Sequence, residues 1–360
     1  MRQRNIWCEP GEQARAHWRF KTCPDPGMMR QDSWWGRFLK TLFGLALALA
    51  GLVGCTRAET TVEGDSSAGH MEAAQGGAVP ELAPPASAPG GQRGQGMAYE
   101  IVGTEVWNVR DPASGRDYQV FVSVPPSYAD EPERRYPVLY VTDADYAFPL
   151  VRGIARRLNV EGPVVEEFIL VGLSYALGDE PMTSRRRDYT PTSPRHGAPA
   201  GGDPHGGGDA YVAYLRDQVI PFVAGRYRSD EGRRMLLGHS YGALLATQVL
   251  FSDPALFSGY VLGSPSYWYD GGVMDAFERT YAEGHDDLDA SIYMYVGEYE
   301  QPAHGKRYDM VGDARRMAAS LGARRYPSLR IRLDVLDDED HLSVAPRGFT
   351  HGLNYLMAVQ

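Results

Sequence analysis

The chain has 360 residues, 43% of them hydrophobic, and a formal net charge of −10. That is ample apolar material for one α/β core of about 250 residues, and the acidic balance argues against nucleic acid as a partner. Its three cysteines, Cys8, Cys23 and Cys55, all precede the globular part, which excludes a disulfide, a thiolate metal centre and a cysteine nucleophile there.

Residues Met28 to Cys55 read MMRQDSWWGRFLKTLFGLALALAGLVGC. Arg30, Arg37 and Lys40 form a basic region, and Leu42 to Val53 is an apolar run of signal-peptide length, too short for a comfortable membrane span. The ending Leu52-Val53-Gly54-Cys55 resembles the lipobox of bacterial lipoproteins. That resemblance implies that residues 28–54 are removed as a signal peptide and that Cys55 is acylated, making the membrane a partner through a lipid anchor. Residues 1–27 fit neither signal nor domain and are expected to be a mis-called upstream extension, with Met28 or Met29 the true start. Residues 55–96, rich in Gly, Ala, Pro, Ser and Glu, cannot bury enough surface to fold and are expected to be a flexible tether. Thr56, rather than Asp, follows the cysteine; by the same resemblance the protein faces the periplasm, with the outer membrane favoured.

From Met97 the pattern is that of a folded domain, residues 97–360. Tyr99 to Val109 and Tyr118 to Val124 alternate apolar and polar residues, as half-exposed antiparallel strands do. Pro137 to Val141 and Phe168 to Leu173 are continuous apolar runs suited to buried parallel strands, with helical spacing between them over Phe148 to Leu158. The pattern lapses between Ser174 and Gly208. The arginine-rich end of that segment is expected to wall a site, and Gly197 to Gly208 to be mobile. A long amphipathic helix is expected over Asp209 to Tyr227. Further strands are expected at Gly259 to Gly263, Ser291 to Val296 and Arg330 to Leu336, with helices near Tyr308 to Leu321 and Gly348 to Met357. Alternating β and α elements imply an α/β fold, a mostly parallel central sheet with helices on both faces.

The chemistry centres on Met235-Leu236-Leu237-Gly238-His239-Ser240-Tyr241-Gly242, followed by a small-residue helical run. Strand, Gly-x-Ser-x-Gly and helix in that order form a nucleophile elbow, in which the turn is so tight that the flanking positions carry almost no side chain. Ser240 is therefore the expected nucleophile. A serine hydroxyl needs an imidazole to take its proton, and in this architecture the order is Ser, acid, His. His341, after the last strand, is the expected base. The acid should follow the Ser291 to Val296 strand: Glu300 is the first choice and Glu298 the second, with a Ser–His dyad the remaining alternative. Oxyanion donors are expected from the backbone N–H groups of Tyr241 and, after Val141, Asp145. His239 is expected to be structural. No metal or cofactor is implied.

Tyr136 to Asp145, Arg187 to Pro191, Gly238 to Gly242, Gly263-Ser264-Pro265-Ser266 and Asp340-His341, taken as a set, resemble the esterase branch of the α/β-hydrolases. That branch contains enterochelin (siderophore) esterases, feruloyl esterases, S-formylglutathione hydrolase and mycolyltransferases. The resemblance covers Tyr99 to the C-terminus and departs from the branch at Ala144 and Ala243, where relatives carry glycine. It implies the α/β-hydrolase fold and a small-molecule ester or lactone substrate, with a siderophore trilactone as one candidate. It also implies that Trp268 and Tyr267 line the acyl or aryl pocket. Arg186 or Arg187 would then meet an anionic ligand through paired hydrogen bonds. Acyl transfer to another acceptor, or a non-catalytic binding scaffold, are the alternatives.

Overall fold

The hexapeptide Tyr136–Val141 is buried along its whole length, as a strand must be when its sheet is covered on both faces. It belongs to an eight-stranded sheet: β1 Thr104–Arg110, β2 Asp117–Ser123, β3 Tyr136–Val141, β4 Ile169–Ala176, β5 Ser229–His239, β6 Gly259–Gly263, β7 Ser291–Gly297 and β8 Arg330–Leu336. The structure, a computed structural model, describes residues 99–194 and 204–359. The expected upstream extension, signal peptide and tether, with Cys55, and residues 195–203 lie outside the described residues.

The spatial order is β1-β2-β4-β3-β5-β6-β7-β8. β1 and β2 are antiparallel, and every pair from β4 to β8 is parallel. Among the described residues eight α-helices follow the strands: α1 Ala144–Leu158, α2 Pro181–Asp188, α3 Gly208–Tyr214, α4 Ile220–Arg226, α5 Tyr241–Ser252, α6 Val273–Gly284, α7 Met310–Arg324 and α8 Ala345–Met357.

Strand alternation divides the apolar side chains between two cores. Leu139, Val141, Leu237, Val261 and Tyr293 point to the face covered by α1 and α8. Val138, Tyr140, Leu236, Tyr260 and Met294 point to the other, packed by α3 to α7. The expected α/β-hydrolase architecture is the one observed, and β5 sits centrally with its carboxyl end where such sheets place their sites.

Two expected elements differ. The single helix over Asp209 to Tyr227 is interrupted by a π-helical stretch, Leu215–Val219. Pro221, at the start of α4, has no N–H to donate and its ring crowds the preceding turn, so the helix widens there. The segment in which the pattern lapses contains α2, which buries charge rather than an apolar stripe: Ser184, Arg187 and Asp188 are its buried residues.

Candidate active site

β5 ends at His239 and α5 begins at Tyr241, so Ser240 is the whole turn. Its backbone lies at φ 59, ψ −118, a region sparsely populated outside glycine and retained where function holds it. Packing explains both glycines. A Cβ on Gly238 would lie 2.2 Å from the carbonyl oxygen of Gly242, and one on Gly242 would lie 2.2 Å from Thr142 Oγ1. The elbow is pinned laterally by Ser240 N donating to Gly263 O at 2.8 Å. Ser240 is half-buried.

Glu300 lies three residues beyond the end of β7 and is 1% exposed. Its Oε2 is 2.5 Å from His341 Nδ1. Its Oε1 accepts from Ser264 Oγ at 2.5 Å and from Gly297 N at 2.8 Å. Glu298 instead uses its carboxylate on Asp338 N at 3.0 Å, away from the imidazole. The loops carrying acid and base are stitched together by Glu298 N to Leu336 O (2.9 Å) and Tyr299 N to Glu339 O (3.0 Å). Asp340 closes the turn under His341 by accepting from the N–H groups of Leu342 and Ser343, and those donors hold its carboxyl below the usual aspartate range.

The His341 ring stands 4.8 Å from that of His239, the neighbour of Ser240. Among the described residues the Ser240 hydroxyl shares its hydrogen bond with Ser266 Oγ at 3.4 Å, and the bond to His341 is not formed. Such bonds are commonly long without substrate and tighten when it binds.

Two helix N-termini face this site. Tyr241 is the first residue of α5 and Asp145 the second of α1, so both N–H groups precede the first intrahelical partner. The Asp145 side chain is exposed and accepts from Ser174 Oγ at 2.8 Å. Sequence reasoning missed what joins these termini. Arg185 donates from Nε to Asp143 Oδ1 (2.8 Å) and from Nη2 to Asp143 Oδ2 (3.3 Å) and His239 O (3.1 Å), while its guanidinium lies 5.3 Å from the Tyr241 ring centre. One side chain thus ties the β3–α1 turn, where Asp143 sits at φ 54, to the elbow.

Arg187, expected at the substrate, is corrected. Its guanidinium is taken up by Asp188 at 2.8 Å, by Asp179 at 2.5 Å and by Ser184 at 3.2 Å, and its side chain is buried. Arg186 is half-buried, close enough for its charge to act on the Tyr241 phenol. Tyr267 is also corrected: it is core, its hydroxyl 3.0 Å from Thr247 Oγ1. Trp268 stacks on Tyr308 at 3.9 Å and 7°. Tyr308 in turn lines a cleft of about 150 Å³ together with Glu300, Lys306, Arg307, Met310 and His341. Nothing in the sequence pattern marked Lys306 or Arg307, and Tyr308, expected at the start of a helix, lies with them on the irregular segment between β7 and α7. Among the described residues no group of His, Cys, Asp and Glu is arranged to hold a metal ion.

Residues 112–328 match the Esterase family, described as "Putative esterase". The chain is 27% identical over 277 residues to the ferri-bacillibactin esterase BesA of Bacillus subtilis, covering 73% of this chain and 93% of that one. It is 27% identical over 280 residues to the siderophore enterobactin esterase of Emericella nidulans, covering 69% and 92%. Among solved structures, the BES protein from Bacillus cereus superposes with a TM-score of 0.64 at 24% identity, covering 74% of this chain and all of the other, a likeness of fold. The chain belongs to the Esterase family of α/β-hydrolases and is a hydrolase acting on esters.

Proposed function

We propose that the chain is a serine carboxylic-ester hydrolase working through an acyl-enzyme. Ser240 Oγ attacks the acyl carbon while its proton passes to Nε2 of His341, and Glu300 orients that imidazole through Nδ1. The developing oxyanion is received by the N–H groups of Tyr241 and Asp145. Collapse expels the alcohol, which takes the proton from His341, and water repeats the sequence to release the acid. The observation that carries this reading is the 2.5 Å contact between His341 Nδ1 and a Glu300 carboxylate buried to 1% exposure, beside an elbow with Ser240 at positive φ.

For the substrate we infer an ester or lactone of an iron-chelating siderophore. The siderophore esterase activities for which the two relatives are named support this, as does a cleft with an aromatic wall (Tyr308 backed by Trp268) and two cations, Lys306 and Arg307. We also infer, from sequence alone, that residues 97–360 form the catalytic unit and that Cys55 anchors it to the cell envelope; retention of a Cys55→Ala variant in the membrane fraction would oppose the anchor.

The test is direct. A serine-directed fluorophosphonate should label Ser240 of the full-length chain, and Ser240→Ala should abolish hydrolysis of p-nitrophenyl acetate and of a ferric trilactone while leaving the circular dichroism unchanged. Undiminished turnover in that variant would refute the assignment. A ferric trilactone left intact by an enzyme that cleaves p-nitrophenyl acetate would overturn the substrate and keep the mechanism. Transfer to an added alcohol in preference to water would mark an acyltransferase.

A further inference from the structure

His239 lies between the chemistry and the core, and its ring is bonded at both nitrogens. It is the last residue of β5, just before the Ser240 turn, and its imidazole turns toward the β8–α8 loop. There Nε2 lies 2.9 Å from the backbone oxygen of His341. A carbonyl oxygen only accepts, so Nε2 carries the proton. Nδ1 lies 3.1 Å from the Tyr295 hydroxyl and, in the neutral ring, accepts from it. Tyr295 is fully buried, with its hydroxyl packed where a Cβ on Gly263 would come within 2.0 Å. Protonating Nδ1 would turn this acceptor into a donor and leave the phenol proton to find another partner in that packing.

We propose that His239 is a positioning residue for ester hydrolysis: a neutral imidazole wedged between the elbow and the His341 loop, which holds the His341 main chain in register with Ser240. The proposal rests on the serine-hydrolase reading above. His341 is then fixed at two points on opposite sides, by Glu300 at Nδ1 and by His239 at its carbonyl, so the direction of its Nε2 is determined by two separate elements, β7 and β5. Charge supports the assignment. The groups facing the His239 ring are the His341 imidazole at 4.8 Å, the neutral Tyr295 phenol, and the Arg185 guanidinium held on the carbonyl of His239 itself; among the described residues no carboxylate is hydrogen-bonded to it. Burial first, and then the proximity of His341, press its pKa down to about 3. His341 must become an imidazolium during each half-reaction, and a second cation at this distance would oppose that charge. A neutral neighbour does not.

Two substitutions of similar polarity separate positioning from space-filling. The Gln amide nitrogen reaches the place of Nε2, whereas the Asn amide reaches only that of Nδ1. In the full-length chain, His239→Gln should keep kcat for p-nitrophenyl acetate within about fivefold of the parent. His239→Asn should lose about 10- to 100-fold in kcat, with KM moved less than about twofold, as expected when a catalytic group is displaced by about an ångström. Rates are referred to the folded fraction from thermal melts, so a stability loss common to both variants does not affect the comparison. Equal kcat in the two variants, or an unimpaired His239→Asn, would overturn the proposal. Ser240→Ala and His341→Ala run alongside: if either retains full activity, the hydrolase reading itself has failed, whereas if both are dead and His239→Asn is normal, only the role of His239 falls.

Discussion

At the scale of single residues, the two glutamates after β7 show how little separates a catalytic orienter from a loop carboxylate. Glu298 and Glu300 are two positions apart, yet one caps a neighbouring backbone N–H and the other is buried with three partners on its two oxygens. A carboxylate with that many donors is fixed in place, which is what an imidazole needs to keep its proton on Nδ1. Glu300→Gln should therefore lower kcat by about 10²- to 10⁴-fold, while Glu298→Gln should stay within about twofold. Steady-state kinetics on one chromogenic ester decides it, and the reverse ranking would move the acid. Ser264 belongs to the same account. Its hydroxyl anchors Glu300 Oε1 from the turn after β6, where its own φ is 38. The Gly-Ser-Pro-Ser motif was visible in the sequence, but nothing in one chain tells which loop a turn serine will face.

At the scale of elements, α2 carries two arginines two residues apart with opposite duties. Arg187 and Asp188 form a buried pair with side chains 10% and 7% exposed, and removing one partner of such a pair costs about 3–5 kcal/mol because the other charge is left buried. Arg187→Met should lower the thermal midpoint and leave kcat of the folded fraction unchanged. Arg185 ties Asp143 to the carbonyl of His239, so Arg185→Met should relax the approach of α1 to α5 and lower kcat about 10- to 100-fold. Differential scanning calorimetry beside kinetics tests the pair; equal losses of kcat would show that α2 acts only as a scaffold. The strands were legible because apolar runs such as Val138-Leu139-Tyr140-Val141 admit few other placements, and the elbow because its glycines and flanking elements are local. α2 was not, since Pro181 to Asp188 has no apolar period and is held by polar contacts, of which Arg185 to Asp143 and Tyr118 to Asp188 reach distant parts of the chain. α6 has no counterpart among the expected helices, although Met274, Phe277 and Tyr281 recur at helical spacing.

At the scale of the whole molecule, a buried neutral histidine links the site to the acid stability of the fold. His239 titrates near 6.5 when unfolded and at about 3 when folded. Below pH 6.5 the unfolded chain therefore binds a proton that the folded chain refuses, so stability falls as pH drops from 6.5 toward 3 and is unaffected above 6.5. Between pH 6.5 and 4.5 this one group accounts for a loss on the order of 2–3 kcal/mol. Parent and variant carry the same acidic side chains, which makes the difference between the two informative. His239→Gln, which cannot be protonated, should show a shallower decline in unfolding free energy by about that amount when urea melts at pH 7 and pH 4.5 are compared. Parallel profiles for parent and variant would mean that the folded protein accepts the proton at His239 after all, and that the elbow tolerates an imidazolium beside His341. The same substitution probes kinetics and stability through different physics, one through the Nε2 hydrogen bond and the other through proton uptake, so agreement between them would tie the geometry of the site to the pH range in which the sheet holds together.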